Sequence, residues 1–140
     1  MTKMHEALAA IFATCLILFA MSLLIPGGIN TIPTRDMAAS MAWYSEKLGL
    51  RQIDVEMDNP EGCQTMGFSK EEWAITLVPP GEESREELMP RFYTGKITKA
   101  HEVLNSRGVS VGEIQQDAQG THYFEIQDLE GNKIEVCEEM

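Results

Sequence analysis

At 140 residues, with 44% hydrophobic and 24% charged content, the chain has the size and composition of one globular domain with a single core. Its formal net charge is −11, and because Lys3 and Glu6 cancel, all of that charge falls on residues 28–140. So acidic a surface repels phosphate backbones and no basic stripe interrupts it, which excludes nucleic acid as an expected partner. The acidic pairs Glu71-Glu72, Glu82-Glu83, Glu86-Glu87 and Glu138-Glu139 read as solvated loops and tail.

Residues 7–25 contain no charged side chain. As a helix they would run about 28 Å, close to the thickness of a bilayer's hydrocarbon core, before Pro26, Gly27 and Gly28 stop them. The simplest expectation is an N-terminal segment, 1–27, that anchors the protein in a membrane by a single apolar helix of undetermined orientation. A cleaved signal peptide ending near Ala20-Met21-Ser22, a helix packed on a partner, and translation starting at Met21 stay open.

From residue 28 the elements follow in order. A short strand at 29–34 precedes a helix capped by Asp36, with Met37, Met41, Tyr44 and Leu48 at helical spacing and Gly49 as its stop. Strands are expected at 50–57, 63–68 and 73–78, separated by turn-rich stretches at 58–62 and 69–72. After a Pro-Gly-Glu linker the same order returns. It comprises a strand at 89–94, a helix carrying Ile97, Ala100, Val103 and Leu104 and stopped by Gly108, then strands at 109–115, 121–127 and 133–137. Two successive β-α-β-β-β units of about 55 residues constrain the topology more than any single element does. Cys15, Cys63 and Cys137 fit no zinc spacing; the last two fall in strands, where a thiol is a small hydrophobe.

The stretch Thr34-Arg35-Asp36-Met37-Ala38-Ala39-Ser40-Met41-Ala42-Trp43-Tyr44, followed by Leu48-Gly49-Leu50, resembles the opening signature of the vicinal-oxygen-chelate superfamily of glyoxalases, bleomycin-resistance proteins and dioxygenases. Residues 124–135 are similar to its closing signature, an Asp-x-x-Gly-Asn turn between the last two strands, with Leu129 and Glu130 where the family commonly has Pro and Asp. The resemblance covers residues 28–140 and implies an α+β fold in which two modules, 28–80 and 88–140, form a curved mixed sheet cup, within one chain or across a homodimer. Function is left wide, because the family includes metal-dependent isomerases and dioxygenases, thiol transferases and drug-binding proteins without catalysis.

In the family's metalloenzymes, His or Glu ligands come from the first, fourth, fifth and eighth strands. Counted from the two signatures, those positions are Ile29, Thr76, Met89 and Glu135, of which only Glu135 is a plausible ligand. No histidine occurs between His5 and His101, so the two-histidine site cannot be assembled and no metal or other cofactor is expected. His101 reads as a solvated surface residue and His122 as a partly buried structural one. Trp43 and Trp73 read as core.

Extending the cup side by strand alternation from those ligand positions, which the resemblance implies, adds Thr31, Arg91, Tyr93 and Tyr123 to Thr76 as candidate ligand-binding residues. Arg91 could clamp a carboxylate or phosphate, or pair internally with Glu125 or Glu135. Pairing Gln127 with Lys133 sets Glu125 opposite Glu135, a candidate catalytic acid/base pair. The favoured reading is a metal-independent binding protein for a small polar or anionic molecule. An acid/base isomerase or lyase of the same fold, or a metal-dependent lyase or dioxygenase, remain as alternatives, so whether the protein is an enzyme stays open.

Overall fold

The structure, a computed structural model, describes residues 24–27, 30–54, 62–80 and 89–139. Helix α1 (Met37–Leu48) begins where the Asp36 carboxylate accepts the Ala39 N–H at 3.0 Å. It ends at Gly49, whose φ of 75° lets Gly49 N–H reach Ser45 O and Leu50 N–H reach Tyr44 O, both at 3.2 Å. The strands β2 (Asn30–Pro33), β3 (Arg51–Ile53), β4 (Gln64–Gly67) and β5 (Trp73–Val78) form one mixed sheet in the order β2-β5-β4-β3. A register shift between Met66 and Gly67 bends β4, and an added Cβ at Gly67 would overlap the backbone of Glu72 and Trp73.

The second module repeats the pattern. Strand β6 (Arg91–Thr94) leads to helix α2 (Ile97–Ser106), then β7 (Ser110–Val111), β8 (Gln115–Gln116), β9 (His122–Gln127) and β10 (Lys133–Glu138). The strand expected at 109–115 is split, because β7 and β8 both pair with β9 but out of phase. Val111 faces Ile126 and Gln115 faces Tyr123, so four steps on one side match three on the other, and Gly112 sits at the resulting bulge. Its N–H still reaches Glu125 O at 2.8 Å.

The N-terminal expectation is overturned. Among the described residues no helix is long and apolar enough to cross a membrane, so the membrane anchor and the membrane localisation are corrected. The end of the apolar run belongs to the domain instead. Leu24 is only 6% exposed and joins the core, while β1 (Ile25–Pro26) pairs antiparallel with β6, Ile25 opposite Tyr93 and Pro26 opposite Phe92. An apolar segment is served equally by lipid or by a protein core, and here its last residues take the core. Residues 7–23 lie outside the described residues. With β1 the second sheet runs β1-β6-β10-β9-β7, so the architecture is two mixed sheets with two helices, an α+β fold.

One core joins the modules. Ile32, Ile75, Leu77 and Met66 from the first sheet, Phe92, Phe124, Ile126, Ile134 and Val136 from the second, and Tyr44, Leu48, Ala100 and Leu104 from the helices form a single buried cluster. Each sheet therefore spends one face on the helices and keeps the other for side chains such as Thr31 and Thr76, or Arg91 and Glu135. Trp43 packs at the edge of this core. Trp73 does not enter it; its indole N–H donates to Lys70 O at 2.6 Å and closes the turn before β5.

Candidate ligand site

The face of the second sheet turned away from the helices carries most of the expected residues. Parallel pairing of β10 with β6 sets Glu135 beside Arg91 and Cys137 beside Tyr93. Antiparallel pairing with β9 sets the same two residues beside Glu125 and Tyr123. This is the register read from the alternation of the two strands, and Gly131, at φ 85°, supplies the left-handed residue of the turn. A depression of about 630 Å³ opens on this face, floored by Arg91, Tyr93, Tyr123, Glu135 and Cys137, with Ile25 on one side. Asp117, Glu138 and Glu139 stand around it.

Glu135 is the hub. Its Oε1 lies 3.3 Å from Arg91 Nη2 and accepts the Cys137 thiol at 2.8 Å. Arg91 is thus answered from within, one of the two pairings that the sequence allows it. A hydrogen bond with Tyr93, and after it the Glu135 carboxylate, raises the guanidinium's pKa further above its ordinary value. Burial, then the bond to Glu135, pushes the Cys137 thiol up to about 12. At neutral pH that leaves roughly a thousandfold less thiolate than a free cysteine. Iodoacetamide at pH 8 should therefore alkylate Cys137 on the order of a thousand times more slowly in the folded chain than in urea, read by peptide mass spectrometry; equal rates would contradict the burial. Cys63 and Cys137 are both buried.

Thr31 and Thr76 are register neighbours on β2 and β5, in the other sheet, and do not line this depression. Ile29 lies outside the described residues, and Met89 is 37% exposed just before β6. The donor set does not fit the metal of the family's metalloenzymes. A hydroxyl and a thioether are poor partners for a divalent cation, and the one carboxylate, Glu135, already holds a guanidinium that would repel it. Among the described residues no group of three His, Cys, Asp or Glu could hold a metal ion.

Both histidines of the described residues have structural work. His122 Nδ1 lies 2.9 Å from Glu138 Oε2, and that contact holds the Glu138 carboxyl below its ordinary value. His101 is not simply solvated: its Nε2 lies 2.8 Å from Gly112 O at the bulge, and its ring packs edge-on to Phe124 at 5.0 Å.

A second open depression, about 570 Å³, borders the start of α1. A helix N-terminus can bind an anion, but this one is filled from within. The Glu130 carboxylate accepts from the Thr34 hydroxyl, from Arg35 N at 2.8 Å and from Asp36 N at 3.0 Å, which lowers its pKa to about 2. In the sequence Glu130 reads only as a mild departure inside a turn. Its reach across to the other module is a tertiary contact with no local signature.

The chain belongs to the Glyoxalase/Bleomycin resistance protein/Dioxygenase superfamily, whose family model matches residues 28–136. Among solved structures it is similar to a member of that superfamily from Sphaerobacter thermophilus, with a TM-score of 0.63 and 20% identity over 82% of this chain and 96% of the other. An integron cassette protein from the mobile metagenome of a Halifax Harbour sewage outfall matches with a TM-score of 0.63 and 19% identity, covering 82% and 100%. A lactoylglutathione lyase from Agrobacterium tumefaciens matches with a TM-score of 0.58 and 19% identity, covering 81% and 94%. Likenesses at this identity speak to the fold alone. No curated protein matches the sequence.

Proposed function

We propose that the protein is a small-molecule-binding member of its superfamily that takes its ligand on the open face of the second sheet without a resident metal, and that this ligand is a small organic cation with a flat apolar body. The observation that carries this is the charge of the lining. Four carboxylates, Asp117, Glu135, Glu138 and Glu139, meet one guanidinium, and that guanidinium is already paired. An anion approaching Arg91 meets Glu135 at once, which revises the expectation of an anionic ligand. A cation gains from the carboxylates and from the faces of Tyr93 and Tyr123.

The isomerase or lyase reading rests on Glu125 lying opposite Glu135. The double engagement of Glu135 Oε1 by Arg91 and Cys137 makes that carboxylate a fixed acceptor and favours binding over proton transfer.

Three probes of one shape and different charge test the reading: benzamidinium, benzamide and benzoate, titrated calorimetrically into EDTA-treated protein at low salt. Benzamidinium should bind at least tenfold more tightly than benzoate, equivalent to about 1.4 kcal/mol, with benzamide between them. Preference for benzoate overturns the ligand class. Binding that disappears with EDTA and returns with a divalent metal overturns metal independence.

A further inference from the structure

The region that matches the family begins at residue 28, yet the four residues before it are built into the fold and one of them borders the site. Leu24 enters the core between the helices, beside Leu48 and Leu104. Ile25 pairs with Tyr93 and so shares its face, where it borders the depression and keeps 39% of its surface exposed. Gly27 N–H donates to Arg91 O at 3.0 Å. Because residues flanking Pro26 turn their backbone groups toward β6, Pro26 turns its own outward, where the missing N–H costs nothing. Gly27 approaches β6 so closely that an added Cβ would overlap the Arg91 carbonyl and touch the Tyr93 ring. The Pro-Gly pair that reads as a helix stop is thus the pair that a two-residue edge strand needs at this spot.

We infer that Leu24–Gly27 is a strap that completes the ligand site, with Ile25 as its apolar wall and specificity-determining residue and Gly27 as the residue that seats it. This rests on the ligand site proposed above. Leu24 anchors the strap from behind, and the β1–β6 pairing fixes the strand that carries Arg91 and Tyr93. A flat apolar body lying along Tyr93 is then flanked by Ile25, so the strap selects for ligands with such a body and not for charge alone.

The test uses the full chain and benzamidinium as probe, with methylammonium as a cation that has almost no apolar body. Ile25→Ser should weaken benzamidinium binding about tenfold, leave methylammonium binding unchanged and leave the melting temperature close to wild type, because the side chain is already largely outside the core. Ile25→Val should bind benzamidinium within about threefold of wild type, a rescue that a merely structural role would not produce. Gly27→Val should lift the strap, weaken benzamidinium binding at least as far and speed hydrogen exchange in β6; if that variant fails to fold, Ile25→Ser decides alone. Benzamidinium affinity unchanged in Ile25→Ser, or an equal loss for both cations, overturns the strap while the site stands. Wild type that binds none of the probes removes the site itself and the strap's role with it.

Discussion

Replacing Phe124 with alanine is expected to lower the free energy of unfolding by about 3–5 kcal/mol. The ring is completely buried. It pairs with Val136, and Val136 pairs with Phe92, so the three make one row across β9, β10 and β6 on the helix side of the second sheet. His101 packs edge-on against the same ring at 5.0 Å. A row drawn from three strands and capped from a helix cannot collapse into the void without moving all of them, which places the cost near the top of the usual range. Against a total stability of about 5–15 kcal/mol for a domain, this is a large fraction. Phe124→Leu keeps most of the volume and should cost less than about 1.5 kcal/mol. Urea unfolding measures both. A loss under about 1 kcal/mol for Phe124→Ala would mean that the row is not packed as described. Tyr123 and Glu125 flank Phe124 on the opposite face, so the alanine variant should also bind benzamidinium more weakly.

The hairpin that carries this row is legible in the amino-acid sequence, and so is most of the fold. Alternation in 122–127 and 133–138 puts Phe124, Ile126, Ile134 and Val136 together in the observed register, and a one-residue slip of either strand would move its own pair to the open side. Asp36 and Gly49 mark the ends of α1 for similarly local reasons. The errors have a different origin. Residues 7–25 look the same whether lipid or protein covers them, so nothing in the run itself says that Leu24 ends in the core and Ile25 in a strand. The bulge at Gly112 depends on counting steps against a partner strand, which a single strand's pattern does not contain.

The site divides along the same line. Arg91, Tyr93, Tyr123 and Glu125 follow by alternation from positions that the family resemblance implies, Glu135 among them, and the structure places all five on one face. Which carboxylate Arg91 would choose, and that Cys137 would share it, depends on the parallel β6–β10 pairing, between strands far apart in sequence. Thr31 and Thr76 share a face of the first sheet but do not line the depression on the second, because alternation says nothing about how two sheets are set beside each other.

Asp128→Ala is expected to cost about 3 kcal/mol or more, because it leaves one buried donor stranded and removes several charge-assisted hydrogen bonds. Asp128 is 8% exposed and sits at the tip of the β9–β10 hairpin. Its Oδ1 accepts from Glu130 N at 2.9 Å and Asn132 N at 2.8 Å, which shapes the turn. Its Oδ2 accepts from Asn132 Nδ2 at 2.9 Å and from the hydroxyl of Tyr44, on α1 of the other module, at 2.6 Å. Asn132 Nδ2 also donates to Pro33 O at 3.1 Å, so the turn is tied to both β2 and α1. Tyr44 is completely buried; burial, then the Asp128 charge, raises its phenol well above the ordinary range, and the hydroxyl stays a donor at any workable pH. With alanine at 128 that buried donor loses its acceptor, at a cost of about 1–3 kcal/mol by itself. The lost turn amides and the loosened Asn132 add the remainder. Tyr44→Phe removes the donor rather than the acceptor, leaves Asp128 three of its four partners, and should cost only about 1–2 kcal/mol. The double variant separates this junction from two unrelated defects. Once Tyr44 is phenylalanine there is no stranded hydroxyl, so Asp128→Ala should cost at least about 1 kcal/mol less in that background than in wild type. Additive losses in chemical unfolding would mean that Tyr44 and Asp128 do not depend on each other.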